Sequence, residues 1–175
     1  MSETFADILK AKFPDALEAT YLDRTGAAWA QVKREHIVTV CQFLKNDLDF
    51  KVFISMDGVD RQLLPESTPR FEVVYFFKSL SRNEHARLKV LVSEDDANIP
   101  TIIPVFQGAA WSERLVWDFY GVKFAGHANL RRMFMYEEFE GHPLRKDYPL
   151  RGRQPLIPER PIKDIFRGPG TNGVA

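Results

Sequence analysis

The chain has 175 residues, 45% of them hydrophobic, with 24 Lys and Arg against 24 Asp and Glu. A folded monomer of this length buries about 70% of its extended-chain surface, enough for one core without staples, and zero net charge argues against a general polyanion binder while leaving room for a local basic patch. One cysteine, Cys41, excludes an intramolecular disulfide framework or a cysteine-only metal site and fits a reducing, cytoplasmic setting; the longest apolar run, 73–77, is far short of a membrane helix, and the opening MSETFADILKAKF lacks a signal-peptide core.

Phe5, Ile8, Leu9 and Phe13 fall on one helical face behind Thr4 as N-cap, with Pro14 ending the run. Leu17, Ala19 and Tyr21 alternate with polar neighbours, DRTG at 23–26 is a turn, and 27–32 resumes an extended pattern, which predicts a hairpin. Ile37, Val40, Cys41 and Leu44 form a helical stripe that makes Cys41 a core residue. Strands follow at 50–56 (FKVFISM), 71–78 (FEVVYFFK) and 88–92 (LKVLV), the last two joined as a hairpin. The polar stretch 57–70, with Pro65 and Pro69, reads as an exposed loop. This order predicts an α+β domain of two layers, a mixed or largely antiparallel sheet with helices mainly on one face.

Residues 101–106 read as a short helical or turn segment, and 111–120 as a helix with Ser112 as cap, Glu113 in its first turn and Gly121 at its C-terminal end. Leu115, Val116 and Phe119 make its apolar side, and Arg114 and Asp118 stand four apart as an ion pair. Beyond Gly121 the period is lost. From 142 onward seven Lys and Arg face three acids, a surplus of four, with prolines at 143, 149, 155, 158, 161 and 169. Such a segment builds no core of its own; either it stays unstructured or it is ordered by lying across another surface. Leu156, Ile157, Ile162, Ile165 and Phe166 interleaved with arginines favour a domain over 1–150 followed by an extended partner-wrapping tail over 151–175.

Three chemistries are disfavoured. Gly168, Gly170 and Gly173 match a dinucleotide fingerprint, but only two residues follow, too few for the helix that would meet a pyrophosphate. His127, His142, Glu137 and Glu138 are suitable metal ligands without the close spacing that pre-arranges a site, and each histidine follows a glycine, as in a turn. For acid–base or nucleophilic work Asp118, His127, His142 and Asp147 are the candidates, with no nucleophile elbow and no carboxylate pair beside them. The cluster Arg131, Arg132, Arg145, Lys146 and Arg151 is either solvated charge or a set of guanidinium forks for bidentate pairing at an interface.

Three segments, WSERLVWDFYG at 111–121, FAGHANLRR at 124–132 and FEGHPLRKDYPL at 139–150, resemble the signature of the thirty-kilodalton subunit, or C subunit, of respiratory complex I, and the resemblance extends to 70–92 and 94–100. It places Glu113, Arg114, Asp118, Gly121, His127, Leu130, Arg131, Arg132, Gly141, His142, Pro143, Arg145, Lys146, Asp147 and Pro149 on motif positions. Two departures stand out: Leu115 replaces a Glu that would reciprocate a Ser112 capping box, and Ala128-Asn129 replaces Pro-Asp. The resemblance implies a scaffold component of the hydrophilic arm that binds no cofactor itself, in a complex using FMN, iron–sulfur clusters, NADH and quinone. It implies no catalytic residue in this chain. Its partners would be the quinone-site subunit (forty-nine-kilodalton-like, the D subunit), the terminal iron–sulfur subunit (the B subunit) and a neighbouring ferredoxin-like subunit, with no nucleic acid. It would sit peripherally on the cytoplasmic face of a bacterial membrane, held there only through the complex. The residues expected at partner interfaces are Glu113, Arg114, Asp118, His127, Arg131, Arg132, His142, Arg145, Lys146, Asp147, Tyr148 and Arg151. Two alternatives stand beside this reading: the equivalent subunit of a membrane-bound [NiFe] hydrogenase or related dehydrogenase complex, and a nucleic-acid-binding protein using the basic tail.

Overall fold

The computed structural model describes residues 4–64, 68–151 and 154. The tail expected over 151–175 and the glycine fingerprint at 168–173 lie outside the described residues, apart from Arg151 and Gln154.

Helix α1 (Phe5–Lys12) opens with a reciprocal capping box between Thr4 and Asp7. The hairpin of β1 (Leu17–Leu22) and β2 (Ala28–Val32) turns through Asp23, whose carboxylate accepts from Thr25, Ala27 and Trp29. Helix α2 (Ile37–Asn46) buries Ile37, Val40, Cys41 and Leu44 as the stripe predicts. The strands β3 (Val52–Asp60), β4 (Phe71–Ser79) and β5 (Glu84–Val92) form an antiparallel meander, and β5 also pairs in parallel with β2. The resulting order, β1-β2-β5-β4-β3, is the expected mixed sheet.

Alternation decides which face is covered. Phe71, Val73, Tyr75 and Phe77 of β4 and Ala86, Leu88, Val90 and Val92 of β5 join one core with the buried faces of α1, α2 and α3 (Ala109–Tyr120). The opposite face carries Trp29, which stacks on Tyr21 and meets Phe76 edge-on, with Lys89 over the Tyr21 ring. A small parallel pair, β6 (Asn98–Pro100) with β7 (Lys123–Ala125), closes the domain behind α3.

Four expectations need correction. The stretch 57–70 is not an exposed loop throughout: β3 continues to Asp60, and both Asp60 and Arg70 are buried because they neutralise each other. Helix α3 begins at Ala109, two residues early, so Ser112 lies inside it and the N-cap, Gly108, gives no side-chain bond. Glu113 is therefore not in the first turn; it faces the core. Arg114 and Asp118 do not pair with each other, because the segment after β7 supplies a better partner to each. The Gly121 expectation holds, with a left-handed φ of 79° and its amide bonded to the Trp117 carbonyl.

Candidate functional site

From Gly126 to Arg151 the chain has no helix or strand, yet it is ordered against the C-terminal end of α3. The physical cause lies in that helix end. The last carbonyls of a helix lack intrahelical donors and carry the negative end of the dipole. Here the strap supplies the donors: His142 Nδ1 to the Asp118 carbonyl at 3.0 Å, the Leu144 amide to Phe119 at 3.2 Å, and Arg145 Nε to Tyr120 at 2.6 Å. The same two side chains lie so close to Gly121 that a Cβ there would sit 2.5 Å from Arg145 Nη2 and 2.6 Å from His142 Nε2. Glycine is required twice over, by its φ and by this approach.

Asp118 is the first anchor. Its side chain is fully buried, with Oδ1 taking Arg132 Nη1 at 2.9 Å and Oδ2 taking the amides of Met133, Phe134 and Met135 at 3.0, 2.8 and 3.1 Å. Burial raises its pKa, but the Arg132 guanidinium and the three amides outweigh burial and hold it below the usual carboxylate range. Arg132 reaches on to the carbonyls of Phe139 and Gly141 at 2.7 and 2.9 Å, folding 132–141 into a loop around one guanidinium. Arg114 donates to the carbonyls of Arg131 and Arg132 at 3.2 and 3.0 Å.

Arg70 is the second anchor. It pairs with Asp60 through both carboxylate oxygens, at 3.1 and 2.8 Å, with Glu94 at 2.7 Å and with Asp147 of the strap at 2.8 Å. The Lys146 amide adds a bond to Asp60 at 2.8 Å. Burial works against ionisation of Asp60, yet Arg70 and the amides of Lys146 and Gln62 bring its pKa down to about 2. Arg70 and Arg145 each lie 5.0 Å from the Phe71 ring, so the charged node sits directly on the apolar core.

Glu113 is a third, internal tie. It accepts from Thr101 Oγ1 at 2.6 Å and the Ile102 amide at 2.8 Å, and burial pushes its pKa up. His127 takes the Asn129 amide on Nδ1 and contacts the Ala110 carbonyl through Nε2 at 3.1 Å, which assigns the proton to Nε2. His142 is kept neutral by burial, which lowers its pKa. Both histidines thus serve turns and helix ends. Among the described residues, no group of three or more His, Cys, Asp or Glu side chains is arranged to hold a metal ion.

Of the twelve side chains assigned to a partner, Glu113 and Asp118 are enclosed by their own chain, and Arg114, Arg132, His127, His142 and Arg145 bond its carbonyls. Tyr148 stacks on Phe139, and Asp147 pairs with Arg70 while keeping 47% of its side chain exposed. Arg131, Lys146 and Arg151 face outward. Reasoning from the sequence missed Asp60, Arg70 and Glu94 as one node, whose members lie at the end of β3, just before β4 and just beyond β5. Arg70 and Glu94 each open a stretch covered by the family resemblance; Asp60, inside a polar stretch, gave no signal.

Comparison with known proteins decides the family. The model described as "Respiratory-chain NADH dehydrogenase, 30 Kd subunit" matches residues 30–154. The chain belongs to that family. It is 43% identical over 141 residues to the NADH-quinone oxidoreductase C subunit of Paramagnetospirillum magneticum, covering 79% of this chain and 69% of that protein. It is 44% identical over 154 residues to the NADH-quinone oxidoreductase C/D subunit of Proteus mirabilis, covering 83% of this chain but only 25% of that polypeptide. Among solved structures, the trypsin-resistant fragment (1–134) of Nqo5 superposes with a TM-score of 0.63 at 26% identity, over 70% of this chain and 96% of the fragment. A chain of an archaeal respiratory membrane complex, the membrane-bound sulfane sulfur reductase, superposes with a TM-score of 0.65 at 25% identity over 82% of each chain. All the motif positions named above fall within the matched span. In this chain the motif residues Asp118 and Arg132 pair with each other, and the motif residue Asp147 pairs with Arg70.

Proposed function

We propose that this chain is the thirty-kilodalton subunit of a proton-translocating NADH:quinone oxidoreductase and that its contribution is positional. Electron transfer between fixed centres needs fixed distances, and a bracket stiffened by ion pairs holds neighbours in register. The observation that carries this reading is the family match over 30–154, which includes the whole ion-paired strap. FMN, iron–sulfur clusters, NADH and quinone then belong to the other subunits. The partners are the quinone-site subunit, the terminal iron–sulfur subunit and a ferredoxin-like subunit. No helix among the described residues is long and apolar enough to cross a membrane, in keeping with attachment to the cytoplasmic face through the complex.

A second reading, the equivalent subunit of a hydrogenase-type or related respiratory complex, draws support from the likeness to the archaeal reductase. Affinity purification of this chain from its own membranes in mild detergent separates the two. Recovery of flavin, iron–sulfur and antiporter-like subunits with NADH-driven quinone reduction supports the first reading. A complex with those membrane subunits but no NADH-oxidising module supports the second, and recovery of neither overturns both.

A further inference from the structure

Helix α3 carries two fully buried carboxyls, and the fold treats them in opposite ways. Asp118 is given a guanidinium and three amides. Glu113, equally buried, bonds the Thr101 hydroxyl and the Ile102 amide, and among the described residues no Lys or Arg pairs with it. The elements packed around Glu113 bring no positive charge either. The Cys41 thiol from α2 and the Tyr75 phenol from β4 are fully buried, and burial pushes the pKa of each up, so both are neutral. The Tyr75 hydroxyl has no hydrogen-bond partner among the described residues. From the turn after β7 comes His127, whose imidazolium would steady an ionised Glu113. Its ring, however, takes the Asn129 amide on Nδ1 at 3.0 Å and lies 3.1 Å from the Ala110 carbonyl through Nε2, which only the neutral ring satisfies.

A carboxyl enclosed without a counter-charge favours its neutral form. The contact with Thr101 suits that form. A carboxylate accepts from the hydroxyl, whereas the acid donates to Oγ1 across the same 2.6 Å, and Oε1 keeps the Ile102 amide in both cases. Thr101 Oγ1 also takes the Ile103 amide at 3.2 Å, so the segment 101–103 closes on this one carboxyl. We infer that Glu113 is a protonated tie between α3 and 101–102, and that its ionisation is a built-in switch that loosens this half of the helix while the Asp118 end stays fixed. The direction follows from burial, which raises the folded pKa of Glu113 above the ordinary value of about 4.3. The tie is at full strength below that value and weakens as pH rises through the folded pKa. Asp118 is shifted down, so acid loosens the strap end of α3 and rising pH loosens the other. The helix is held at both ends only in the window between, whichever respiratory complex contains the chain.

The test is amide exchange of the full chain between pH 5 and 8, corrected for intrinsic rates. Each pH unit between the ordinary and the folded pKa changes the opening constant by up to about tenfold, so exchange at Ile102 should rise about fivefold or more across that span. Glu113→Gln, which copies the neutral acid, should keep the Ile102 amide protected and flatten the rise to less than about twofold. Glu84→Gln, at a surface ion pair, should leave the rise as in the native chain. Carbon-13 NMR of the glutamate carboxyls gives a second reading that requires no variant: the Glu113 carboxyl should titrate at higher pH than the exposed glutamates. A Glu113 midpoint at or below theirs overturns the inference, as does a rise at Ile102 that persists in Glu113→Gln.

Discussion

Two halves of this chain are held in place by opposite means. From Thr4 to Ala125 order comes from apolar burial: α1, α2 and α3 cover one face of a five-stranded sheet, and their side chains merge into one core. From Gly126 to Arg151 regular structure is absent, and order comes from carboxylates, guanidinium groups and backbone carbonyls arranged around Asp118 and Arg70. The lesson is that a segment without a period need not be loose. It has only to satisfy a helix end that requires donors, and to bring cations to buried carboxylates that require them.

The sharpest way to break the first half is to open its core. Phe77→Ala removes a fully buried ring that meets Phe53 and Phe106, and should cost about 4 kcal/mol of unfolding free energy in a denaturant titration. Its counterpart in the second half is Asp118→Ala, which strands Arg132 and three amides. About 3 kcal/mol is expected, read as lost amide-exchange protection at 133–135 while the amides of β4 and β5 keep theirs. Equal loss in both halves would show that they unfold as one unit.

Acid should separate the halves by chemistry. The folded pKa of Asp60, about 2, lies below the ordinary carboxylate value of about 3.9, so its stabilisation is complete above that value and is lost as pH falls through about 2. Asp118 and Asp147 are shifted in the same direction. Glu113 is shifted the other way, so protonation favours its folded form and acid does not loosen α3 from 101–102. The exchange rate at 146, corrected for its intrinsic rate, should rise between pH 5 and 2.5 in line with a loss of about 2 kcal/mol, and those at 133–135 should rise in the same direction, both ahead of those in the sheet. Gly121→Ala should cost about 1–2 kcal/mol, through its φ of 79° and through displacement of Arg145 and His142, and is read as a lower thermal midpoint. Smallest of all, Arg82→Ala removes an ion pair with Glu84 whose partners are each about a third exposed, and should change the unfolding free energy by less than about 0.5 kcal/mol.

Local patterns carried most of the sheet–helix half. The capping box at Thr4, the stripe through Cys41 and the alternation in 71–78 each specify an element from a few adjacent residues, because a helix or strand is a short-range object. The start of α3 was misread because Ser112 and Glu113 look like a helix opening, whereas Ala109 and Ala110 enter the helix without a side-chain cap. Motif residues in the strap were legible as a set, through resemblance, but not their contacts.

What the sequence by itself determined was therefore the α+β class, the first two helices and the cores of the five strands of the main sheet, the core role of Cys41 and the Gly121 helix end. Only the tertiary structure decided that Asp118 turns from Arg114 to Arg132, that Arg70 gathers Asp60, Glu94 and Asp147, and that Phe134 stacks on Phe119. A periodic element is written in its neighbours, but an ion pair spanning 77 residues is written only in the fold that brings its two ends within 2.8 Å.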